Sequence, residues 1–311
     1  MIETTTQPSP TLINNAPWEE YQRPYVRDLA YVLACPNVLT KWLDVAPHQN
    51  IHTVSVHSAN FWRQQFEAYQ QRLKELDSTI AYQALTRYLL KRTSPNRLGF
   101  HFEGLLSFWL EDGFARKLHP YEIIASNVQL YNGKQTTGEL DLILYNNREN
   151  LVEHWELAIK FFMGSPPFEP INWVGINSND NLQRKMTHMQ TKQFCSVWVD
   201  TKNHGKVKID KRYSVIKGRF FLPINRHHFS YPTWLTPTFP MHEWCDIYDT
   251  STLATLDIIK LRAAHYIEWF SKRDFYDNIR LPLINSENAI LKTGLYFEGD
   301  RPIVIYPRKP D

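Results

Sequence analysis

The spacing of apolar residues changes along the chain, and each change marks a different kind of element. From Tyr25 to Leu33 the apolar side is carried by Val26, Leu29, Ala30 and Leu33, a helical spacing that Pro36 and Asn37 bring to a stop. In HSANFWRQQFEAYQQRLKEL, Phe61, Trp62, Phe66, Tyr69 and Leu73 share one side, and Ser58 stands where an N-cap belongs. The next helix, about Ile80 to Lys91, repeats the pattern with Tyr82, Leu85, Leu89 and Leu90. Residues 97–113 predict another, with Phe100, Leu105, Phe108 and Trp109 on its apolar side, Glu103 within it and Gly113 as its stop. Aromatics at helical spacing signify packing, so these segments predict a helical bundle.

Beyond Gly113 the period falls to two. YEIIASNVQLYN, TTGELDLILYN and NLVEHWELAIKFFM are strand-like runs separated by NGK and NNREN, and they predict three consecutive antiparallel strands. SNDNLQRKMTHMQTKQFCSVW then predicts a helix with Leu182, Met186 and Met189 inward, capped by Ser178 or Asp180. A further strand pair is expected at about 207–222. After it come a Pro- and Trp-rich loop (229–245), a helix centred on LDIIKLRAAHYIEWF, and two short strands around LYFE and IVIYP. Residues 1–17, rich in Thr, Pro and Asn, are expected to form a disordered leader. The remainder divides into an N-terminal helical region (18–96), a core (97–224) and a C-terminal extension (225–311), together a mixed α/β chain.

Composition narrows the function classes. Of 311 residues, 43% are hydrophobic and 22% charged, as in a globular protein, and a net charge of +3 means that any phosphate-attracting surface must be local. Cys35, Cys195 and Cys245 are far apart, with no C-x-x-C spacing, which fits neither a disulfide framework nor structural zinc and suits a reducing, cytoplasmic setting. No signal peptide and no run long enough to span a bilayer is present, so a soluble protein without a membrane partner is expected. With 11 glycines and no G-x-S-x-G or dinucleotide fingerprint, the usual nucleophile and nucleotide motifs are missing.

The candidate chemistry lies in GELDLILY and EHWELAIKF. Residues two apart on a strand share a face, so Glu139 and Asp141 point one way while Leu140, Leu142 and Leu144 point into the core. On the next strand Glu156, Ala158 and Lys160 share a face, opposite Trp155, Leu157 and Ile159. Pairing through NNREN brings Asp141 close to Glu156, a set of hard oxygen donors suited to Mg²⁺ or Mn²⁺. A divalent ion there would polarise a phosphodiester oxygen and acidify a bound water, with Lys160 orienting that water or offsetting charge on the phosphate.

The order of these elements resembles the core of the PD-(D/E)XK (restriction-endonuclease-like) nuclease superfamily. More narrowly, Gly99 to Glu103 (G-x-x-x-E), GELD (138–141), HWELAIKF (154–161) and the Lys185 to Met189 helix resemble the bacterial family known as domain of unknown function 1853, over most of the chain beyond residue 20. The resemblance implies a mixed central sheet flanked by helices and a nuclease acting on DNA or RNA. It further implies that Asp141 and Glu156 are metal ligands, with Glu103 and Glu139 able to complete the site, and that Lys160 is the catalytic lysine. Gln193 and Lys185 would contact substrate. The superfamily's usual acid sits two residues before the lysine, where this chain has Ala158; Glu156 lies four before, a displacement of about 6–7 Å along the strand.

That departure keeps a second expectation open, a catalytically inactive nuclease-like module that binds nucleic acid or protein. The plain reading of the two strands is a hairpin whose exposed Glu156 and Lys160 pair with each other. His227, His228, His242, Glu243 and Cys245 match no compact zinc spacing. Lys206, Lys208, Lys211, Arg212, Lys217 and Arg219 either track phosphates or form a solvated strand face.

Overall fold

In the computed structural model, residues 16–45, 52–92, 94, 97–132, 135–177, 179–225, 229–273 and 292–307 are described. The fold is mixed α/β, and the chain divides into two compact units, one of residues 16–159 and 184–217, the other of residues 160–183 and 218–311.

The first unit opens with the expected helices: α1 (Pro24–Ala34), α2 (Ala59–Ser78), α3 (Tyr82–Leu90) and α4 (Leu98–Ala115), with the short strand β1 (Ser55–Val56) before α2. Ser58 caps α2 as its sequence predicts, its hydroxyl accepting the Phe61 N–H at 3.1 Å. Trp62, Tyr69, Leu73, Leu85, Leu105 and Trp109 are fully buried, so the aromatic stripes pack as core. Gly113 does not end α4. The helix runs on to Ala115, and His119 folds back against it, leaving no room for a side chain at Gly113: a Cβ there would lie 2.5 Å from the His119 ring.

Three long strands follow, β2 (Tyr121–Asn132), β3 (Gln135–Asn146) and β4 (Leu151–Gly164), antiparallel in the order the turns predict. The segment after them is shorter than its sequence suggests: helix α5 (Leu182–His188) gives way to a π-helical turn, Met189–Gln193. Strands β6 (Trp198–Thr201) and β7 (Gly205–Lys208) pair with each other, not β7 with β8 (Lys211–Pro223), which corrects the pair expected at 207–222. The reason is register: Tyr213 and Ser214 of β8 align parallel with β1 instead. Arg212, Lys217 and Arg219 are buried, so they form no solvated strand face. Lys217 is held by the carbonyls of Val32 and Cys35 at the end of α1, its ammonium 3.4 Å from the Trp62 ring centre.

The second unit holds the end of β4, paired antiparallel with β5 (Trp173–Val174), and the end of β8, which runs parallel to β9 (Met241–Asp246). Beyond β9 lie β12 (Arg301–Tyr306), parallel to it, then β11 (Gly294–Glu298) and β10 (Leu261–Ala263), antiparallel. Gly218, with φ +133°, lets β8 pass close to β4; a Cβ there would fall 1.7 Å from the Lys160 carbonyl oxygen.

LDIIKLRAAHYIEWF is not a helix. A short α6 (Thr250–Leu253) precedes it, and the segment itself breaks into 3-10 turns on either side of β10. Glu268 is the cause: its buried carboxylate binds the Arg262 guanidinium and accepts the N–H groups of His265 and Arg273, wrapping the chain around one acid. Residues 1–15 of the expected leader, the Ser178 cap, Gly133 and Lys134 of the NGK turn, and His227 and His228 lie outside the described residues.

Candidate functional site

The register of β3 and β4 builds the site. Leu142 pairs with Trp155 and Ile143 with His154, so the next step sets Asp141 opposite Glu156 on the face that also carries His154. The ladder gives way there: the Leu157 N–H donates to Asp141 Oδ2 at 2.7 Å, spending a strand amide on a carboxylate. On β2 the pairs Ser126–Leu142 and Val128–Leu140 bracket Asn127, which stands across from Asp141 with φ 52°, a left-handed conformation asparagine tolerates. Leu140, Leu142 and Leu144 are buried as alternation predicts.

The opposite face is buried too. Glu156 is 1% exposed and His154 fully buried, which overturns the picture of a solvated hairpin with Glu156 paired to Lys160. Against Glu156 lie Lys185 and Gln193, from the segment in which Met186 and Met189 are fully buried. Gln193 Nε2 donates to Glu156 Oε1, while Gln193 Oε1 accepts from Lys185 Nζ at 3.4 Å. Lys185 Nζ also lies 4.0 Å from Glu156 Oε1. The π-turn places both ends of the Gln193 amide in use, a local irregularity of the sort found at functional sites.

The electrostatics are those of acids crowded out of water. Burial, then repulsion from Glu156, raises Asp141 well above the usual carboxyl range, against the opposing bond from the Leu157 amide. Burial raises Glu156 to about 7, although Lys185 pulls the other way, and the two carboxyls face each other closely enough to share a proton. Glu103, on α4, is also pushed up to about 7, by burial and then by the charge of Asp141; Arg92 and a hydrogen bond with Asn127 oppose the rise. Burial lowers His154 to about 4, so its imidazole is neutral.

Among the described residues, Glu156 Oε2 and Glu103 Oε2 are buried without a hydrogen-bond partner, as are both ring nitrogens of His154. His154 Nε2 stands 3.3 Å from Glu156 Oε2 and Arg92 3.7 Å from Glu103 Oε2, neither aligned to bond. The structure thus brings Asp141, Glu156, Gln193 and Lys185 together and sets Glu103 within their field, with Glu139 acting on Glu103. Lys160 belongs to the other unit, where its Nζ lies 2.6 Å from Asp180 Oδ2. Sequence reasoning gave no role to His154 or Asn127. The two-residue period that joined Glu139 to Asp141 would have found His154, two residues before Glu156; nothing in the sequence announces the left-handed turn at Asn127.

The donor set fits a hard divalent cation with few protein ligands. Among the described residues no three His, Cys, Asp or Glu side chains converge as a metal cage. Mg²⁺ and Mn²⁺ sites, however, take one or two carboxylates and fill the remaining positions with water and phosphate oxygens. Asp141 and Glu156 would be that pair, and the unpartnered Oε2 of Glu156 is an oxygen with a lone pair to give.

Residues 27–288 match the family described as "Domain of unknown function (DUF1853)". The chain belongs to the DUF1853 family. That match takes in α4, the strands β2 to β4 and α5, so in this DUF1853 protein the carboxyl pair lies inside the family domain. No curated protein and no solved structure matches the chain. Among the described residues of the DUF1853 chain, no helix is long and apolar enough to cross a membrane.

Proposed function

We propose that this protein is a divalent-metal-dependent phosphodiesterase of the PD-(D/E)XK type, hydrolysing DNA or RNA. One observation carries the reading: buried Glu156 faces half-buried Asp141, both with raised proton affinity, and Glu156 keeps an unpartnered oxygen. Nearby acids on three elements, with no arginine bonded between the facing pair among the described contacts, are a site built for a cation. Asp141 and Glu156 would hold Mg²⁺ or Mn²⁺, whose charge would polarise a phosphodiester oxygen and lower the pKa of a bound water.

The chain's own groups have separate tasks. The Leu157 amide fixes the Asp141 carboxylate, and Gln193 fixes Glu156 through its Nε2. Lys185, with its ammonium 4.0 Å from Glu156, is the cation placed to meet a phosphate oxygen there. Lys160 follows Glu156 by four residues, about 13 Å of strand. Its pairing with Asp180 makes Lys185 the better candidate for charge at the carboxyl pair.

The inactive-module reading has one observation in its favour: Ala158 occupies the superfamily's usual acid position, and among the described residues no third acid replaces it within bonding reach. Titration of Mn²⁺ into wild type and Asp141→Asn, followed by calorimetry and by cleavage of labelled DNA and RNA, separates the two. The nuclease reading expects saturable binding and cleavage in wild type and a loss of at least about 100-fold in the variant. Wild type that binds no Mn²⁺ removes it.

A further inference from the structure

Strands β6 and β7 form a two-stranded ribbon in the same unit as the carboxyl pair, with Trp198 opposite Lys208, Val199 opposite Val207 and Asp200 opposite Lys206. Strand alternation gives it two unlike faces. Val199 and Val207, with Ile209 beyond them, pack on Ile124, Leu140, Ile143 and Val152 of the β2–β4 sheet. The other face, Trp198, Asp200, Lys206 and Lys208, is exposed, as are Lys202 and His204 at the turn.

Docking of the ribbon is met by its valines, so Trp198 is not needed for packing and keeps 52% of its surface in solvent. The Lys206 ammonium lies 6.0 Å from its ring centre. The ribbon is also firmly placed. Arg212 donates to the carbonyls of Phe194 and Ser196, fixing the link between Gln193 and β6, and the Ile209 N–H bonds the Val197 carbonyl at 2.9 Å. Ile143 and Val152, on which the ribbon sits, fall by strand alternation on the same sheet face as Asp141 and Glu156.

The geometry points to the outer face of this ribbon as a landing site for single-stranded nucleic acid, with an unpaired base stacked on Trp198 and phosphates drawn to Lys202, Lys206 and Lys208. Three exposed lysines against one aspartate favour a polyanion. The half-exposed indole selects among polyanions, because a base can stack on it only after leaving its own duplex. This inference rests on the nuclease reading only for the identity of the substrate as nucleic acid.

Binding of a dye-labelled oligonucleotide of about 15 nucleotides, measured by fluorescence anisotropy in EDTA, tests it with chemistry switched off. Wild type and Asp141→Asn are expected to bind the single strand alike. Trp198→Ala should weaken binding roughly tenfold, Trp198→Phe should retain most of it, and K206Q/K208Q should lower the salt slope by about 1.4. Each ribbon variant, at Trp198 or at Lys206 and Lys208, should melt with wild type, since those side chains stand in solvent. Unchanged binding by Trp198→Ala, or an equal loss on a blunt duplex of the same sequence, overturns the inference. Trp198-dependent binding without metal-dependent cleavage leaves the ribbon site standing and removes the nuclease. Cleavage with Trp198-independent binding does the reverse.

Discussion

Two acidic sites of the first unit have opposite settings. At Asp112 the carboxylate accepts the Tyr69 hydroxyl at 2.6 Å and two bonds from the Arg72 guanidinium, with Arg116 adding a third cation-assisted bond at 3.0 Å. Burial works against ionisation there, yet the Arg72 and Tyr69 bonds outweigh it and hold Asp112 below its usual range. At Asp141 and Glu156 burial wins, the neighbours are other acids, and both carboxyls cling to protons. The same fold that surrounds one acid with arginine leaves two others facing each other. Asp112 is given its cations by the chain; the pair proposed to bind a metal has no arginine bonded between its carboxyls among the described contacts.

The comparison breaks most sharply when each acid is removed. Asp112→Ala leaves Arg72 buried without its main partner and should lower stability by about 3 kcal/mol in urea denaturation. Asp141→Asn in EDTA at pH 8 should leave stability unchanged or raise it, because it removes a like-charge contact. A loss in Asp141→Asn as large as that in Asp112→Ala would mean the two clusters are of one kind.

A smaller effect is expected at Gln193, which orients Glu156 without being a ligand itself. Gln193→Ala should weaken Mn²⁺ binding about 10- to 100-fold in calorimetry with little change in melting temperature. Equal affinity in the variant would remove its orienting role.

The smallest effect is in pH dependence. Glu156 holds its proton up to about pH 7 when folded but only to about 4.5 when unfolded, so folding takes up a proton between these values. Its contribution therefore falls as pH rises through that window. Buried His57 and His119, both lowered by burial, act in the opposite direction but equally in both proteins, so the comparison to make is wild type against Glu156→Gln. The melting temperature of wild type relative to the variant should be highest below about pH 4.5, fall between there and pH 7, and lie a few degrees lower above pH 7. A difference independent of pH would contradict the raised proton affinity of Glu156.

Much of the site was legible because strand alternation is local. GELD and HWELAIKF assign Asp141 and Glu156 to one face each, and the NNREN turn fixes which residues meet across β3 and β4. Gln193 and Lys185 were reached through family resemblance, and their meeting with Glu156 depends on a π-helical turn that apolar spacing does not reveal. Lys160 has the right face by period, but its partner Asp180 comes from a loop whose path no periodicity describes.

By itself the sequence determined the helices of the amino-terminal half, the three antiparallel strands and the pairing of acids across them, since each follows from periods of 3.6 or two and from turn residues close in sequence. Tertiary structure alone decided that the acid-bearing face is buried, that β7 turns to β6 while β8 aligns with β1, and that residues 256–270 wrap around Glu268 instead of coiling into a helix. Burial and long-range pairing depend on which distant segments arrive to cover a face. That information is spread over the whole chain and appears in no single window of it.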